Sequence, residues 1–341
     1  MGPVVGTAAG LVVLAFLLPA LCFGGSGRAE VAQEESRGPA VLPPVPTAAQ
    51  PAPPEDAGTG ELDGARTVRM LGADGAVTEL DMGEYLWGVV AAEMPAAFEP
   101  EALKAQAVAA RTYTLWKSMH SSNHAGADVC TDYACCQAWI SREEAAANWG
   151  EHAETYAARI AQAVTATDGL VLCWQGQPIQ AVFHSSSAGS TEDAVAVWGS
   201  TVPYLVGVDT PEGEEVPNYH TAVTLAADEV AAALSGFGCD LSGDPSVWFQ
   251  SFTYTGGGAV AAAQVGGVSV SGTALRAALG LRSASFTVEY AAGSFTFSVT
   301  GYGHGVGMSQ YGANALAKEG KTWREIAAWY YTGVTVEQYP D

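Results

Sequence analysis

The chain has 341 residues, of which 48% are hydrophobic and 15% are charged, and its formal net charge at pH 7 is −22. This composition is typical of a globular protein and excludes an intrinsically disordered chain. The excess of acidic groups repels phosphate, so it argues against nucleic acid and anionic lipid headgroups as partners. A neutral or weakly charged substrate is favoured instead.

The N-terminal segment contains a charge-free run at 4–23, "VVGTAAGLVVLAFLLPALCF", which is about long enough to cross a bilayer. No basic residue precedes the run, whereas a cleaved signal peptide begins with a basic region. The following "GGSG" could admit cleavage. We therefore expect 1–27 to be a membrane anchor, with a cleaved signal segment as the alternative. Either one places the rest of the chain outside the cytoplasm.

Residues 28–66 are rich in Pro, Ala and Glu and lack any apolar periodicity. Such a composition is typical of an extended, semi-rigid linker. The sequence therefore predicts a folded, catalytic region over 67–341 that this linker carries away from the membrane.

The folded region begins with a predicted β-hairpin over 67–82, because an Asp-Gly pair separates two short apolar runs. A helix over 83–94 then ends near Pro95. A second helix covers 99–119, with Pro100 in its first turn.

Further along the chain, the sequence predicts a third helix over 143–167 and two strands around a Gln-Gly turn within 170–187. Residues 210–300 mix short strands and helices, and the C-terminal part continues as strand, glycine-rich turn and helix. These elements do not form a regular βαβ repeat. We expect an α+β fold of mixed helices and short strands, in which a second sub-domain forms a cleft with the catalytic region.

The predicted helix over 99–119 is apolar on nearly every face, yet it carries two cations. Lys104 and Arg111 are two helical turns apart and therefore share a face. A buried cation requires a partner, and Glu93 is the obvious candidate. Two interpretations stay open: an ion pair that pins two helices together, or a carboxylate tuned by cations for acid/base chemistry.

A polar loop carries His124, Cys130, Cys135 and Cys136. Outside the cytoplasm, one interpretation is a disulfide between Cys130 and Cys136. One histidine and three thiolates also match a closed tetrahedral zinc site, which leaves no open position for a catalytic water. We favour structural zinc, with the disulfide as the alternative.

Two polar segments, 183–191 and 301–312, offer donors and acceptors that suit sugar hydroxyls. Neither contains the Gly-x-Ser-x-Gly elbow of a serine hydrolase. Dinucleotide binding is excluded because no βαβ unit can follow the second segment before the chain ends. The residues expected to bind sugar in these segments are His184, Ser186, His304 and Gln310.

Four separated blocks of the sequence resemble the stage II sporulation protein D family. The blocks are "AAEMPAAFEPEALKAQAVAARTY", "ADVCTDYACCQAW", "FHSSSAGSTEDAVAVWGSTVPYL" and "GYGHGVGMSQYGANALAKEGKTWREIAAWYYTGV". The N-terminal run and linker also look like the membrane anchor and spacer of that family.

The resemblance implies a peptidoglycan lytic transglycosylase that acts during sporulation engulfment. Such an enzyme cleaves the bond between N-acetylmuramic acid (MurNAc) and N-acetylglucosamine (GlcNAc) in strands that a partner amidase has stripped of peptides. It implies a single-pass protein of the cell membrane whose domain faces the intermembrane space of the sporangium, where membrane engulfment proteins are further partners. The alternative is a non-catalytic, glycan-binding amidase enhancer.

The residues of the family motifs carry over one by one. The catalytic acid falls on Glu93, and Lys104 and Arg111 match polar residues of the next helix, where they could hold the lactyl carboxylates of the glycan. Three zinc ligands carry over to His124, Cys130 and Cys136. The fourth ligand position holds His in the family pattern and Cys135 here, and a thiolate is an equally good zinc donor.

The number of candidate carboxylates bears on the mechanism. Hydrolytic glycosidases typically use two, whereas these blocks offer one well-placed candidate, Glu93. One carboxyl group suffices if the 6-hydroxyl of the muramic acid ring is the nucleophile, which yields 1,6-anhydroMurNAc. The sequence therefore predicts a lyase.

Overall fold

A computed structural model describes residues 59–120, 124 and 126–339, which divide into two units. The helical unit holds the described residues up to 182 and those from 316 onward, and the sheet unit holds residues 183–315. The expected anchor at 1–27 and most of the expected linker lie outside the described residues. Among the helices that are described, none is both long and apolar enough to cross a membrane.

The elements follow one another along the chain as short segments. The helices are α1 Glu61–Ala65, α2 Met82–Glu93, α3 Pro100–His120, α4 Arg142–Trp149, α5 Ala153–Ala166, α6 Ala194–Trp198, α7 Ala227–Ala233, α8 Gly272–Leu279, α9 Gln310–Lys318 and α10 Trp323–Tyr330. The strands are β1 Thr67–Leu71, β2 Val77–Asp81, β3 Val129–Cys130, β4 Leu170–Trp174, β5 Gln177–Pro178, β6 Phe183–His184, β7 His220–Ala226, β8 Phe249–Tyr254, β9 Val260–Val265, β10 Val268–Ser271, β11 Phe286–Ala291, β12 Ser294–Thr300, β13 Met308–Ser309 and β14 Thr335–Gln338.

The strands form small sheets of two or three members, which confirms the α+β class. In the helical unit the sheet orders are β2-β1-β3 and β14-β4-β5, and in the sheet unit they are β10-β9-β8, β11-β12-β7 and β13-β6. Most pairs are antiparallel, whereas β1 with β3 and β6 with β13 are parallel.

The helical unit is built around α3. Every residue from Ala102 to Leu115 is buried except Lys104, as expected for a helix that is apolar on nearly all faces. Helices α2, α5 and α10 pack on it. The predicted hairpin and the first two helices are confirmed, with Pro100 as the first residue of α3.

Arg111 is fully buried at the centre of this unit. Its Nε and Nη2 donate to the carboxylate of Asp63, at 2.9 and 2.6 Å. Its remaining N–H groups donate to Thr167 Oγ1 and to the carbonyls of Val164 and Leu170. All five N–H groups of the guanidinium are therefore used, so the charge is buried at a satisfied site.

This arrangement corrects two expectations. Asp63, rather than Glu93, neutralises Arg111, which favours the ion-pair interpretation and argues against a substrate-binding role for Arg111. Asp63 lies in α1, within 28–66, so the folded part begins earlier than the predicted boundary at 67.

The single helix predicted over 143–167 is wrong in one respect. Helix α4 ends at Trp149 and α5 begins at Ala153, with a 3₁₀ turn between them. Gly150 caps α4 with φ of +54°, a conformation that glycine adopts without the steric cost of a side chain.

The sheet unit has its own apolar core. Trp248, Phe295 and Phe297 pack between the two three-stranded sheets, together with Leu275 of α8. Beside this core, β6 and β13 pair in parallel and bring the two polar segments predicted to bind sugar next to each other.

We predict that the Arg111–Asp63 pair is a major contributor to stability. Arg111→Met should lower the free energy of unfolding by about 3–5 kcal/mol, because it leaves the Asp63 carboxylate buried without its cation. Urea denaturation of the purified protein measures this change in the free energy of unfolding. Arg69→Met, which breaks an exposed pair with Asp128, is the matched control and should have a much smaller effect. Equal effects in the two variants would contradict the prediction.

Candidate functional site

Glu93 is the last residue of α2 and is half-buried. The helix stops here because Pro95 disfavours helical geometry in the residue before it. The Glu93 Oε1 atom accepts a hydrogen bond of 2.7 Å from the backbone N–H of Ala138. The carboxyl group is thus oriented by a segment that lies far away in sequence.

The segment 137–140 is fixed along α2. The Nε2 of Gln137, which is buried, donates to Thr114 Oγ1 at 3.0 Å and to the Tyr85 hydroxyl at 3.3 Å. A Cβ atom at Gly88 would lie 2.1 Å from Trp139 Nε1, so only glycine allows this close approach. The position of the Ala138 N–H is therefore set by packing on α2 and α3.

The four predicted metal ligands come together immediately before this segment. Their ligand atoms all lie within 4.8 Å of one another, and His124 Nε2 lies 3.3 Å from Cys136 Sγ and 3.6 Å from Cys135 Sγ. In a tetrahedral zinc site with Zn–S bonds of about 2.3 Å, ligand atoms stand about 3.8 Å apart. The donor set and its spacing therefore fit zinc. Cys130 and Cys136 are both free thiols, so the alternative disulfide is not formed in this structure.

Protons are shared within this cluster. A hydrogen bond from Cys136 lowers the pKa of Cys130 to about 6, and the same contact raises the pKa of Cys136. A metal ion would replace these protons, because thiolates are the ligating form. The Cys135 carbonyl accepts hydrogen bonds from Lys117 Nζ at 3.2 Å and from the Tyr113 hydroxyl at 3.4 Å, which ties the cluster to α3.

Lys104 lies on α3 with 18% of its side chain exposed. Its Nζ atom is 2.9 Å from Glu101 Oε1, and the other oxygen of Glu101 accepts the backbone N–H of Trp323. Because Trp323 is the first residue of α10, this chain of contacts links α3 to α10. Unlike Arg111, Lys104 keeps part of its side chain exposed.

The four polar residues predicted to bind sugar all lie in the sheet unit. Ser186 and His304 line one pocket, and the ring of His184 packs on that of His304 at 5.5 Å between centroids. Gln310 begins α9 and is buried.

Both ring nitrogens of His184 are used inside the fold. Nδ1 donates to the Val306 carbonyl at 3.2 Å, and Nε2 accepts from the Ser187 hydroxyl at 2.6 Å. Burial and the neighbouring His304 lower the pKa of His184 to about 3, so the ring is neutral at pH 7. These contacts favour a role for His184 in positioning the 183–191 segment.

Glu212 is a buried residue that the sequence reasoning missed. Its carboxylate accepts hydrogen bonds from the backbone N–H of Ser187 and from the hydroxyls of Thr210 and Ser309. It therefore joins the two polar segments. No local pattern around Glu212 signals burial, because two of its three partners, Ser187 and Ser309, come from distant parts of the chain.

Comparison with known proteins decides the family. The family described as "Stage II sporulation protein" matches residues 72–174. The chain is 40% identical to "Stage II sporulation protein D" of Bacillus subtilis (strain 168), over 78% of this chain and 77% of that protein. The chain belongs to the stage II sporulation protein D family.

Two further relatives agree with this assignment. The chain is 38% identical to "Stage II sporulation protein D" of Bacillus amyloliquefaciens, over 77% of this chain and 76% of that protein. It is also 30% identical to "Amidase enhancer" of Bacillus subtilis (strain 168), over 74% of this chain but 40% of that protein. The family match at 72–174 contains Glu93 and all four residues of the metal cluster.

We predict that the metal cluster binds about one zinc ion per chain and that zinc supports the fold. Elemental analysis of the purified soluble domain should detect the zinc, and chelation should lower the melting temperature because metal binding and folding are coupled. Cys136→Ser should abolish zinc binding. Cys239→Ser, which alters a thiol outside the cluster, is the control and should retain it. A zinc-free protein with a Cys130–Cys136 disulfide would contradict the prediction.

Proposed function

We propose that this protein is a peptidoglycan lytic transglycosylase that cleaves the MurNAc–GlcNAc bond of peptide-stripped glycan strands. The observation that carries the proposal is the orientation of the Glu93 carboxyl group by the backbone N–H of Ala138. Both residues lie within 72–174, the segment that matches the family. An oriented carboxyl group can donate and accept a proton at a fixed place, as acid/base catalysis requires.

The proposed chemistry uses Glu93 twice. Oε1 accepts the Ala138 N–H, so we assign the transferred proton to the other carboxyl oxygen, Oε2. Glu93 gives this proton to the glycosidic oxygen as the bond to the muramic acid C1 breaks. The resulting carboxylate then removes the proton from the 6-hydroxyl of the same ring, whose oxygen bonds to C1. The products are a 1,6-anhydromuramic end and a free hydroxyl on the leaving sugar, and no water is consumed.

Zinc would support this chemistry from a distance. His124, Cys130, Cys135 and Cys136 would hold the ion, and when bound it supplies a rigid anchor for the loop that precedes Ala138. Four protein ligands fill a tetrahedral site, so the chain's own residues perform the proton transfers.

The substrate chemistry agrees with the charge of the chain. A peptide-stripped glycan is neutral apart from its lactyl carboxylates, so it is not repelled strongly by an acidic protein. We assign Lys104 as the cation that holds a lactyl carboxylate, and Ser186, His304 and Gln310 as further sugar-binding residues.

The relatives named "Stage II sporulation protein D" support a role in sporulation. We propose action at the cell envelope during engulfment, with anchoring in the membrane through the segment 4–23. A peptidoglycan amidase that strips the stem peptides is the proposed partner, because its product is the substrate required here.

A second function is favoured by one comparison. The similarity to "Amidase enhancer" fits a protein that holds glycan and stimulates a separate amidase without cleaving glycosidic bonds itself. In that case Glu93 would have no role in bond cleavage.

We predict that Glu93→Gln lowers the rate of cleavage of peptide-free glycan strands by about 100-fold or more, the usual effect of removing a positioned acid/base group. Binding of the strands should be unchanged, because the amide keeps the shape of the carboxyl. Glu84→Gln on the same helix is the matched control and should cleave normally. Product formation is measured by chromatography with mass detection.

Two outcomes would count against this assignment. Normal cleavage by Glu93→Gln would remove Glu93 from the mechanism. No cleavage by the wild type, together with stimulation of an added peptidoglycan amidase, would establish the enhancer function instead.

A further inference from the structure

Glu192 is a buried carboxyl group in the sheet unit, where 4% of the residue is exposed. Its Oε1 accepts the backbone N–H of Ala259 at 3.3 Å, whereas Oε2 has no hydrogen-bond partner among the described residues. Burial raises the pKa of this carboxyl group. A buried oxygen with no partner costs free energy, so the position calls for an explanation.

The backbone around Glu192 is shaped to admit this side chain. A Cβ atom at Gly257 would lie 2.4 Å from Glu192 Oε1, and one at Gly305 would lie 2.9 Å from Glu192 Cγ. Gly305 also has φ of +80°, and its carbonyl accepts the Glu192 N–H at 2.7 Å. The glycines therefore hold the carboxyl group in one place. An apolar side chain of similar size would fill the space without leaving a polar atom unpaired.

Glu192 forms part of the wall of a pocket that contains about 560 Å³ of empty space, counted together with its open mouth. The rest of the wall combines methyl groups and hydroxyls with the side chains of Arg276 and His304. The methyl groups belong to Ala188, Ala196 and Ala259, and the hydroxyls belong to Ser190, Thr255 and Thr273.

We propose that this pocket binds the acetamido group of an N-acetylated amino sugar, with Glu192 Oε2 accepting the amide N–H. The alanine side chains receive the methyl group, and a wall hydroxyl donates to the amide carbonyl. A purely apolar ligand would leave Oε2 unpaired, whereas an amide N–H can donate to it. The choice of an amino sugar rests on the proposed function, whereas the pocket itself belongs to the sheet unit and does not include Glu93.

The test measures binding of three neutral or cationic trisaccharides to the full-length protein carrying Glu93→Gln, so that no ligand is consumed. The ligands are chitotriose, its fully deacetylated form and cellotriose, which lacks nitrogen. The methyl NMR signals of Ala188 and Ala259 report this pocket specifically. We expect these signals to shift with chitotriose and to stay unchanged with cellotriose.

Two variants probe the pocket independently. Glu192→Ala should weaken chitotriose binding at these signals by about 10- to 100-fold, the effect of losing a hydrogen bond to a charged group. Ala196→Phe should abolish chitotriose binding at these signals. This exposed position on α6 lies at the pocket, so the phenylalanine ring would fill the pocket. Glu214→Ala, which removes an exposed carboxylate of the same unit, is the control and should bind normally.

Each outcome decides between the proposals. Normal binding by folded Ala196→Phe, or equal binding of cellotriose, would overturn the acetamido pocket. Tighter binding of the deacetylated ligand would also overturn it and assign an ammonium site. Pocket binding that depends on Glu192 in a protein that cleaves no glycan would leave this inference standing while the proposed function fails. If the wild type cleaves glycan and both pocket variants bind chitotriose normally, the proposed function stands and the acetamido pocket is overturned.

Discussion

The hydrogen bond from the Ala138 N–H to Glu93 is the interaction on which the candidate site depends. Ala138 lies two residues after Cys136, and Gln137 between them is buried in hydrogen bonds to α2 and α3. The metal cluster, the buried glutamine and the carboxyl group therefore form one continuous arrangement. A zinc ion held by this cluster would order the loop that precedes Ala138, and through it the orientation of Glu93, without touching a substrate.

The buried charged groups of this protein differ in how well their partners satisfy them. Arg111 uses all five of its N–H groups, and Glu212 accepts three hydrogen bonds, so both are accounted for by the fold. In Glu192, by contrast, Oε2 has no hydrogen-bond partner among the described residues. The rule that buried polar groups are paired accounts for Arg111 and Glu212 within the fold, and it supports our proposal that Glu192 pairs with a ligand.

Local patterns predicted the parts of the structure that depend on neighbouring residues. Pro95 and Pro100 marked the end of α2 and the start of α3, and the spacing of His124 and the cysteines indicated the metal cluster. The partner of Arg111 could not be predicted, because Asp63 lies in a segment whose composition is typical of a linker. The burial of Glu192 depends on Gly257 and Gly305, which are distant in sequence. No local pattern could therefore predict that Glu192 is buried.

The proposed reaction uses one carboxyl group, that of Glu93, and therefore requires that the substrate supply its own nucleophile. The most direct test is mass analysis of the products formed from peptide-free glycan strands in ¹⁸O-labelled water. The account predicts 1,6-anhydromuramic ends that contain no label, because the muramic 6-oxygen closes the ring. Reducing muramic ends that carry ¹⁸O would show hydrolysis and would require a second catalytic group beside Glu93.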